Sequence, residues 1–116
     1  MKILNLQQFL MLPENILYTK FDNGSFKFSD IAIKDKSLKE DWWFQDLMEI
    51  EAYSTGEIYS ALSNSVNKGT SFSLDLDYVS RDGLYEEEQL FAVFEKDDVI
   101  SLIERFKVTL DNYPKL

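Results

Sequence analysis

Residues 16–34 read ILYTKFDNGSFKFSDIAIK, and this stretch indicates the class of fold. Ile16 to Phe21 is rich in β-branched and aromatic residues, which favours a strand. Asp22-Asn23-Gly24-Ser25 is a turn signal in which the glycine is available for a positive φ. Phe26 to Lys34 alternates and predicts a second strand, with a bulge or bend where the phase slips at Ser29-Asp30. The stretch therefore predicts two antiparallel strands joined by a tight turn.

Further elements are predicted on both sides of these strands. Asn5 and Gln8 are spaced as a capping box, which predicts a short helix over Asn5 to Met11. Ser80 to Gly83 is a turn signal. Three more strands are predicted over Gln45 to Ala52, Phe72 to Val79, which alternates strictly, and Leu90 to Glu95, which is apolar and expected to be central. Two amphipathic helices are predicted, from Ser54 to the left-handed cap Gly69 and from Asp97 or Asp98 to about Leu110.

This order of elements predicts one α+β domain over residues 1–116. Most connections have hairpin length, so the sheet should be mainly antiparallel, with about five strands and with the helices packed on one face. The length suits a single domain with a radius of gyration of roughly 13 Å. The hydrophobic fraction is 45%, which argues against disorder despite the charge. The two helices owe their expected packing to apolar stripes: Ile58, Ala61, Leu62 and Val66, and Val99, Leu102, Ile103, Phe106 and Leu110.

Composition excludes several classes of chemistry. The chain has no Cys and no His, so disulfide scaffolds, zinc fingers, thiol nucleophiles and Ser-His-Asp relays are excluded. Four glycines form no phosphate loop, and a net charge of −9 disfavours direct nucleic-acid binding. We expect a non-enzymatic protein without cofactor or metal. The lack of Cys and of any targeting or membrane-spanning segment predicts a cytoplasmic location.

A calcium loop is the metal site that comes nearest to a match. Asp75, Asp77 and Glu86 occupy positions 1, 3 and 12 of that template. Val79 stands where an oxygen ligand is required, and Ser80 stands where glycine is required. The template therefore fails, and nothing else in the sequence specifies a cation.

The negative charge is concentrated in one segment. Residues 1–74 carry a net −3, residues 75–104 a net −8 and residues 105–116 a net +2. Asp75 and Asp77 would project from one face of the predicted strand, roughly 7 Å apart. Two interpretations stay open: a solvated face with helix-capping aspartates, or a docking surface for a basic partner. The candidate partner-binding carboxylates are Asp75, Asp77, Asp82, Glu86, Glu87 and Glu88.

Trp42-Trp43-Phe44 is the densest aromatic run. Neighbouring residues of a strand point to opposite faces, so we expect one tryptophan in the core and the other at least partly exposed. The alternative is that both pack under neighbouring loops. An exposed tryptophan is a common interface anchor, and Trp42 and Trp43 therefore complete the candidate partner-binding set.

Two regions resemble a known family. Residues 81–95 read RDGLYEEEQLFAVFE and are followed by Asp98-Val99 and by Leu102 to Arg105; residues 9–13 read FLMLP and are followed by Tyr18. These motifs, in this order, resemble a family of small acidic proteins of phages and prophages, most strongly from Arg81 onward. The resemblance implies a mobile element in a bacterial cytoplasm and transfers no functional residue.

That context favours one class of binding function. Small acidic phage proteins without catalytic residues are often inhibitors of host defence, with carboxylates taking the place of phosphates against Lys and Arg. The sequence thus predicts an inhibitor of anti-CRISPR or anti-restriction type, whose acidic, nucleic-acid-mimicking face binds a basic, nucleic-acid-handling host protein. Two alternatives stay open: an immunity protein or antitoxin for a basic nuclease toxin, and a structural or assembly protein of the phage.

Overall fold

The computed structural model describes residues 1–83 and 86–116 and has the predicted α+β architecture. Leu84 and Tyr85, which belong to the motif of the phage resemblance, lie outside the described residues. The sheet has six strands, one more than expected, and all its strand pairs are antiparallel. The elements in chain order are β1 (Lys2–Asn5), α1 (Leu6–Leu10), β2 (Ile16–Asp22), β3 (Lys27–Ser37), β4 (Trp42–Asp46), α2 (Thr55–Lys68), β5 (Ser80–Asp82), β6 (Leu90–Val93) and α3 (Lys96–Asp111).

The strands follow the order β1-β6-β2-β3-β4-β5 across the sheet. The apolar strand β6, expected to be central, is an interior strand that pairs with β1 on one side and with β2 on the other, one place from the edge of the sheet. Strand β1 has no counterpart in the sequence-based prediction. Its four residues pair with the whole of β6, so it depends on a partner that is far away in the chain.

The β2–β3 hairpin contains the predicted bulge. Thr19 lies opposite Ile31 and Phe21 lies opposite Phe28, so Ser29 and Asp30 together face the single residue between them on β2. The Thr19 hydroxyl donates to the Ser29 carbonyl at 2.8 Å. This hydrogen bond satisfies a carbonyl that the bulge removes from the regular hydrogen bonding between β2 and β3. The expectation of a left-handed glycine in the turn is wrong: the residue with positive φ is Phe26, at 53°.

Helix α1 covers the core face of the sheet. The predicted capping box is present: the Gln8 backbone N–H donates to the Asn5 side chain at 2.8 Å, and the Asn5 N–H donates to the Gln8 side chain at 2.9 Å. Phe9 is fully buried and stacks on Phe91 with a centroid distance of 4.0 Å. The Trp42 and Phe9 rings meet edge to face, with their centroids 5.2 Å apart. This aromatic cluster is the centre of the core.

Two polar contacts lie within this core. The Trp42 indole N–H donates to the Tyr18 hydroxyl at 2.9 Å, and burial raises the pKa of Tyr18 above its ordinary value. Lys34 is fully buried, and its ammonium donates to the carbonyls of Leu12 and Asp35, each at 2.9 Å. Burial lowers the pKa of Lys34. These hydrogen bonds allow a lysine to remain under the carboxyl end of α1.

Helices α2 and α3 form where the sequence predicts, but they do not pack as predicted. The Ser54 hydroxyl caps α2 by accepting from the Glu57 N–H, and Gly69 ends the helix at φ 70°. Within the described residues, neither helix has a fully buried side chain. The expectation that both helices cover one face of the sheet is therefore wrong. The radius of gyration is 16.6 Å rather than roughly 13 Å. No helix in the described ranges is long and apolar enough to cross a membrane.

Three segments differ from the prediction. The strand placed over Gln45 to Ala52 begins and ends earlier, as β4. The strand expected over Phe72 to Val79 is absent except for an isolated bridge between Ile50 and Leu74. The turn expected at Ser80 to Gly83 is instead β5, which pairs with β4. Alternation alone does not form a strand, because the backbone groups need a partner strand over the same length.

Candidate partner-binding site

A cavity of about 660 Å³ opens between the end of the β2–β3 hairpin and the loop that precedes β6. Three carboxylates line it, those of Asp22, Glu86 and Glu88, and Phe21 and Leu90 contribute apolar wall. We call this cavity the hairpin cleft. The structure therefore brings two of the predicted loop acids against the hairpin, whereas the sequence had grouped them with Asp75 and Asp77 in one acidic surface.

The loop is tied to the hairpin through Gln89. Its side-chain amide donates to the carbonyl of Phe21 at 3.3 Å and to the carbonyl of Leu90 at 2.8 Å. Its backbone N–H donates to the carbonyl of Glu86 at 3.0 Å, which closes a turn. Because Phe21 and Leu90 are also paired across β2 and β6, the two walls of the hairpin cleft are held together.

Asp22 stabilises the turn of the β2–β3 hairpin through its side chain. Its carboxylate accepts the backbone N–H of Gly24 at 2.8 Å. The hydrogen bonds from Gly24 and Ser25, with the nearby charge of Lys27, lower the pKa of Asp22. The group therefore keeps its negative charge throughout the physiological pH range.

Exposed aromatic rings stand beside the hairpin cleft. The ring centroid of Phe21 lies 6.2 Å from that of Phe26 and 5.4 Å from that of Phe28. We call these three residues the aromatic tip. Phe26 is 75% exposed and Phe28 is 62% exposed. Sequence reasoning missed this cluster because it assigned both rings to the alternation of a half-buried strand. The sequence signal that could have found it is the phase slip at Ser29-Asp30. The bulge there shifts the register of Phe26 and Phe28 relative to that of the core residues.

Asp75 and Asp77 do not join the hairpin cleft. Asp75 lines a different cavity, of about 520 Å³, together with Glu49 and Glu51. Its carboxylate accepts the backbone N–H of Asp77 at 2.9 Å, so the two residues form a local turn. The expectation that they project together from one face of a strand is therefore wrong.

Asp82 and Glu87 occupy other environments. The Asp82 carboxylate lies 2.7 Å from the Lys20 ammonium, and its side chain is only 10% exposed. The ion pair and the low exposure show that Asp82 is part of the sheet. Its assignment to an exposed docking surface is therefore wrong. Glu87 is exposed on the loop between Glu86 and Glu88, and its side chain is not part of the cleft wall.

The two tryptophans separate as the alternation of a strand predicts. Trp42 is 1% exposed and contacts the Phe9 cluster, so it is not accessible to a partner, and its place in the candidate set was wrong. Trp43 is 37% exposed and lies opposite Arg81 on the other face of the sheet. Arg81 is held by Asp41, whose carboxylate accepts its Nε–H at 2.6 Å.

Comparison with known proteins adds no residue to this site. Among the described residues, no group of three or more acidic side chains is arranged to hold a metal ion. The hairpin cleft and the aromatic tip are therefore interpreted from their geometry and charge. No family model, curated protein or solved structure matches the chain.

Proposed function

We propose that this chain is a non-enzymatic binding protein that docks on a basic protein surface through the hairpin cleft and the aromatic tip. The observation that carries the proposal is the exposed ring cluster of Phe26 and Phe28 beside the carboxylates of Asp22, Glu86 and Glu88. Aromatic anchors surrounded by polar groups are typical of the residues that dominate binding energy at protein interfaces.

The charge supports a basic partner. Carboxylates pair with Arg in the same two-pronged geometry as phosphates, so a groove made for nucleic acid accepts an acidic loop. The net −8 of residues 75–104 would also accelerate the encounter with such a groove. Together with the resemblance to phage proteins, these features favour an inhibitor of a bacterial defence system, of anti-CRISPR or anti-restriction type, acting in the bacterial cytoplasm. An immunity protein against a basic nuclease would use the same surface.

The first test reverses the charge of the loop. Glu86→Lys, Glu87→Lys and Glu88→Lys in one variant move the net charge from −9 to −3, since each reversal adds two units. We expect this variant to lose capture of basic nucleic-acid-binding proteins from a bacterial lysate. Whatever binding remains should depend less on salt, because fewer opposite charges approach each other.

The matched control carries the same change of charge elsewhere. Glu14→Lys, Glu40→Lys and Glu51→Lys, all at exposed positions outside residues 75–104, also bring the chain to −3. We expect the control to bind like the unmodified chain. Equal loss in both variants would assign the effect to overall charge and contradict a role for this loop.

A second test uses the left-handed backbone of Phe26. A bulky residue at positive φ costs about 1–2 kcal/mol, which Phe26→Gly removes at the expense of one ring contact. We expect Phe26→Gly to be about 1 kcal/mol more stable than Phe26→Ala, which keeps the left-handed backbone, and to weaken partner binding. Urea unfolding and the lysate capture measure the two effects.

Phe26→Ala is the control for this test, because it removes the ring and keeps the unfavourable backbone. Its binding should fall as in Phe26→Gly, while its stability should not rise. Normal capture by either variant would show that the aromatic tip does not contact the partner.

A further inference from the structure

Gln89 is a polar side chain that joins the loop before β6 to the hairpin. Its side-chain amide nitrogen donates to two backbone carbonyls, that of Phe21 on β2 at 3.3 Å and that of Leu90 on β6 at 2.8 Å. The side chain is partly buried, so water does not fully replace these bonds. Because a carbonyl oxygen only accepts, position 89 requires a donor, and glutamine supplies one without adding a charge.

The other end of the same loop is attached to the neighbouring residue of β2. The Asp82 carboxylate, at the end of β5, lies 2.7 Å from the Lys20 ammonium. Gln89 is held by Phe21, the residue that follows Lys20. We call residues 86–88 the acidic loop. Its two flanks are therefore attached to consecutive residues of one strand.

Repulsion between like charges opposes this arrangement. The acidic loop holds three adjacent glutamates, and the carboxylates of Glu86 and Glu88 share the hairpin cleft with that of Asp22. Such repulsion favours an extended loop that moves away from the cleft. The Gln89 backbone N–H instead closes a turn on the Glu86 carbonyl at 3.0 Å. Gln89 thus opposes the repulsion through its backbone and through both side-chain hydrogen bonds.

We propose that Gln89 is a positioning residue for binding at the hairpin cleft, because it holds the carboxylates of Glu86 and Glu88 against the hairpin before a partner arrives. A loop that is already ordered loses less conformational freedom on binding, so its affinity is higher for the same number of charges. The inference rests on the proposed function and adds to it an uncharged residue that determines affinity through the loop.

Gln89→Glu separates positioning from charge, because the two effects have opposite signs. The variant moves the net charge from −9 to −10, since it adds one negative charge. Charge alone would tighten binding to a polycation. A carboxylate cannot donate to the two carbonyls and is repelled by them. We therefore expect the dissociation constant for a deca-arginine peptide, used as a defined basic probe, to rise about tenfold, the cost of ordering one or two long side chains.

Gln7→Glu is the matched control. It makes the same change of charge at an exposed position of α1. Its dissociation constant for deca-arginine should equal that of the unmodified chain or fall slightly. Equal affinity of Gln89→Glu and Gln7→Glu would overturn the proposal.

Gln89→Leu removes the donors at unchanged charge and nearly unchanged size. We expect the dissociation constant to rise about tenfold, with the salt dependence of the unmodified chain, because every carboxylate is kept. Near-ultraviolet circular dichroism of Trp42 checks that the core is folded. A residue that only stabilised the fold would lower the urea midpoint and leave the dissociation constant of the folded form unchanged, and that result would contradict a positioning role.

Hydrogen exchange keeps this inference distinct from the proposed function. The backbone amides of residues 86–90 should exchange about tenfold faster in Gln89→Glu and Gln89→Leu than in the unmodified chain, while Gln7→Glu should leave them unchanged. Unchanged exchange in both Gln89 variants would overturn the positioning role, whatever the peptide does. If the unmodified chain and the loop charge reversal bind deca-arginine equally, the proposed function is wrong, and this exchange alone then decides whether Gln89 holds the loop.

Discussion

Phe9→Ala is expected to lower the free energy of unfolding by about 3–5 kcal/mol, the range for removing a buried ring. The Phe9 ring is completely buried, lies nearly parallel to Phe91 at an interplanar angle of 3°, and meets the edge of Trp42. The Lys34 ammonium also lies 5.7 Å from its centroid. Because α1 has only five residues, it cannot persist without this contact. We expect the loss to approach the whole stability of a chain of this size.

Urea unfolding followed by tryptophan fluorescence measures this loss. Met11→Ala is the control in the same segment, because Met11 is 86% exposed and its replacement should change stability by less than about 0.5 kcal/mol. If Phe9→Ala and Met11→Ala unfold at the same urea concentration, the aromatic cluster is not the centre of the core.

Tyr18→Phe is expected to lower the free energy of unfolding by about 1–3 kcal/mol at neutral pH. The substitution keeps the ring but removes the oxygen that accepts the Trp42 indole N–H, and that donor is then buried without a partner. The protein should stay folded, with near-ultraviolet circular dichroism changed at Trp42. An unchanged stability would mean that water or another acceptor replaces the hydroxyl.

The same residue predicts sensitivity to alkali. Burial raises the pKa of Tyr18 above its ordinary value of 10.0, so the folded state favours the neutral phenol. The unfolded chain loses this proton as the pH passes about 10, and the folded chain does not. The contribution of Tyr18 is therefore complete below pH 10 and is lost as the pH rises further. Tyr18→Phe should flatten the fall of the urea midpoint above pH 10, and Tyr113→Phe, at an exposed position, should not.

Local signals account for the parts of the fold that the sequence predicted well. The Asn5–Gln8 box, the Ser54 and Gly69 caps and the phase slip at Ser29-Asp30 each depend on residues within a few positions of one another. Strands β1 and β5 are short, and each is defined by a distant partner. Conversely, the alternation over Phe72 to Val79 has no partner strand of matching length, so it forms one bridge.

The candidate site likewise has features that the sequence alone predicts and features that depend on the fold. Charge counting located the loop acids, because the concentration of charge is a property of the sequence alone. Alternation separated Trp42 from Trp43 but did not say which one is buried, since that depends on the face that α1 covers. The aromatic tip required the structure, because both the bulge and the left-handed backbone of Phe26 redirect its rings.

The inner position of β6 determines when this protein can fold during its synthesis. Strand β6 fills the space between β1 and β2, and it brings Phe91 to the ring of Phe9. While residue 93 is still inside the ribosome, the β2–β3 hairpin can form. Strand β1 then has no strand through which it can join β2. The core thus closes late, through contacts between residues more than 80 positions apart. Such long-range closure slows folding to the millisecond-to-second range. Until then the core residues contributed by α1, β2 and β4 lack the apolar partners that β6 supplies.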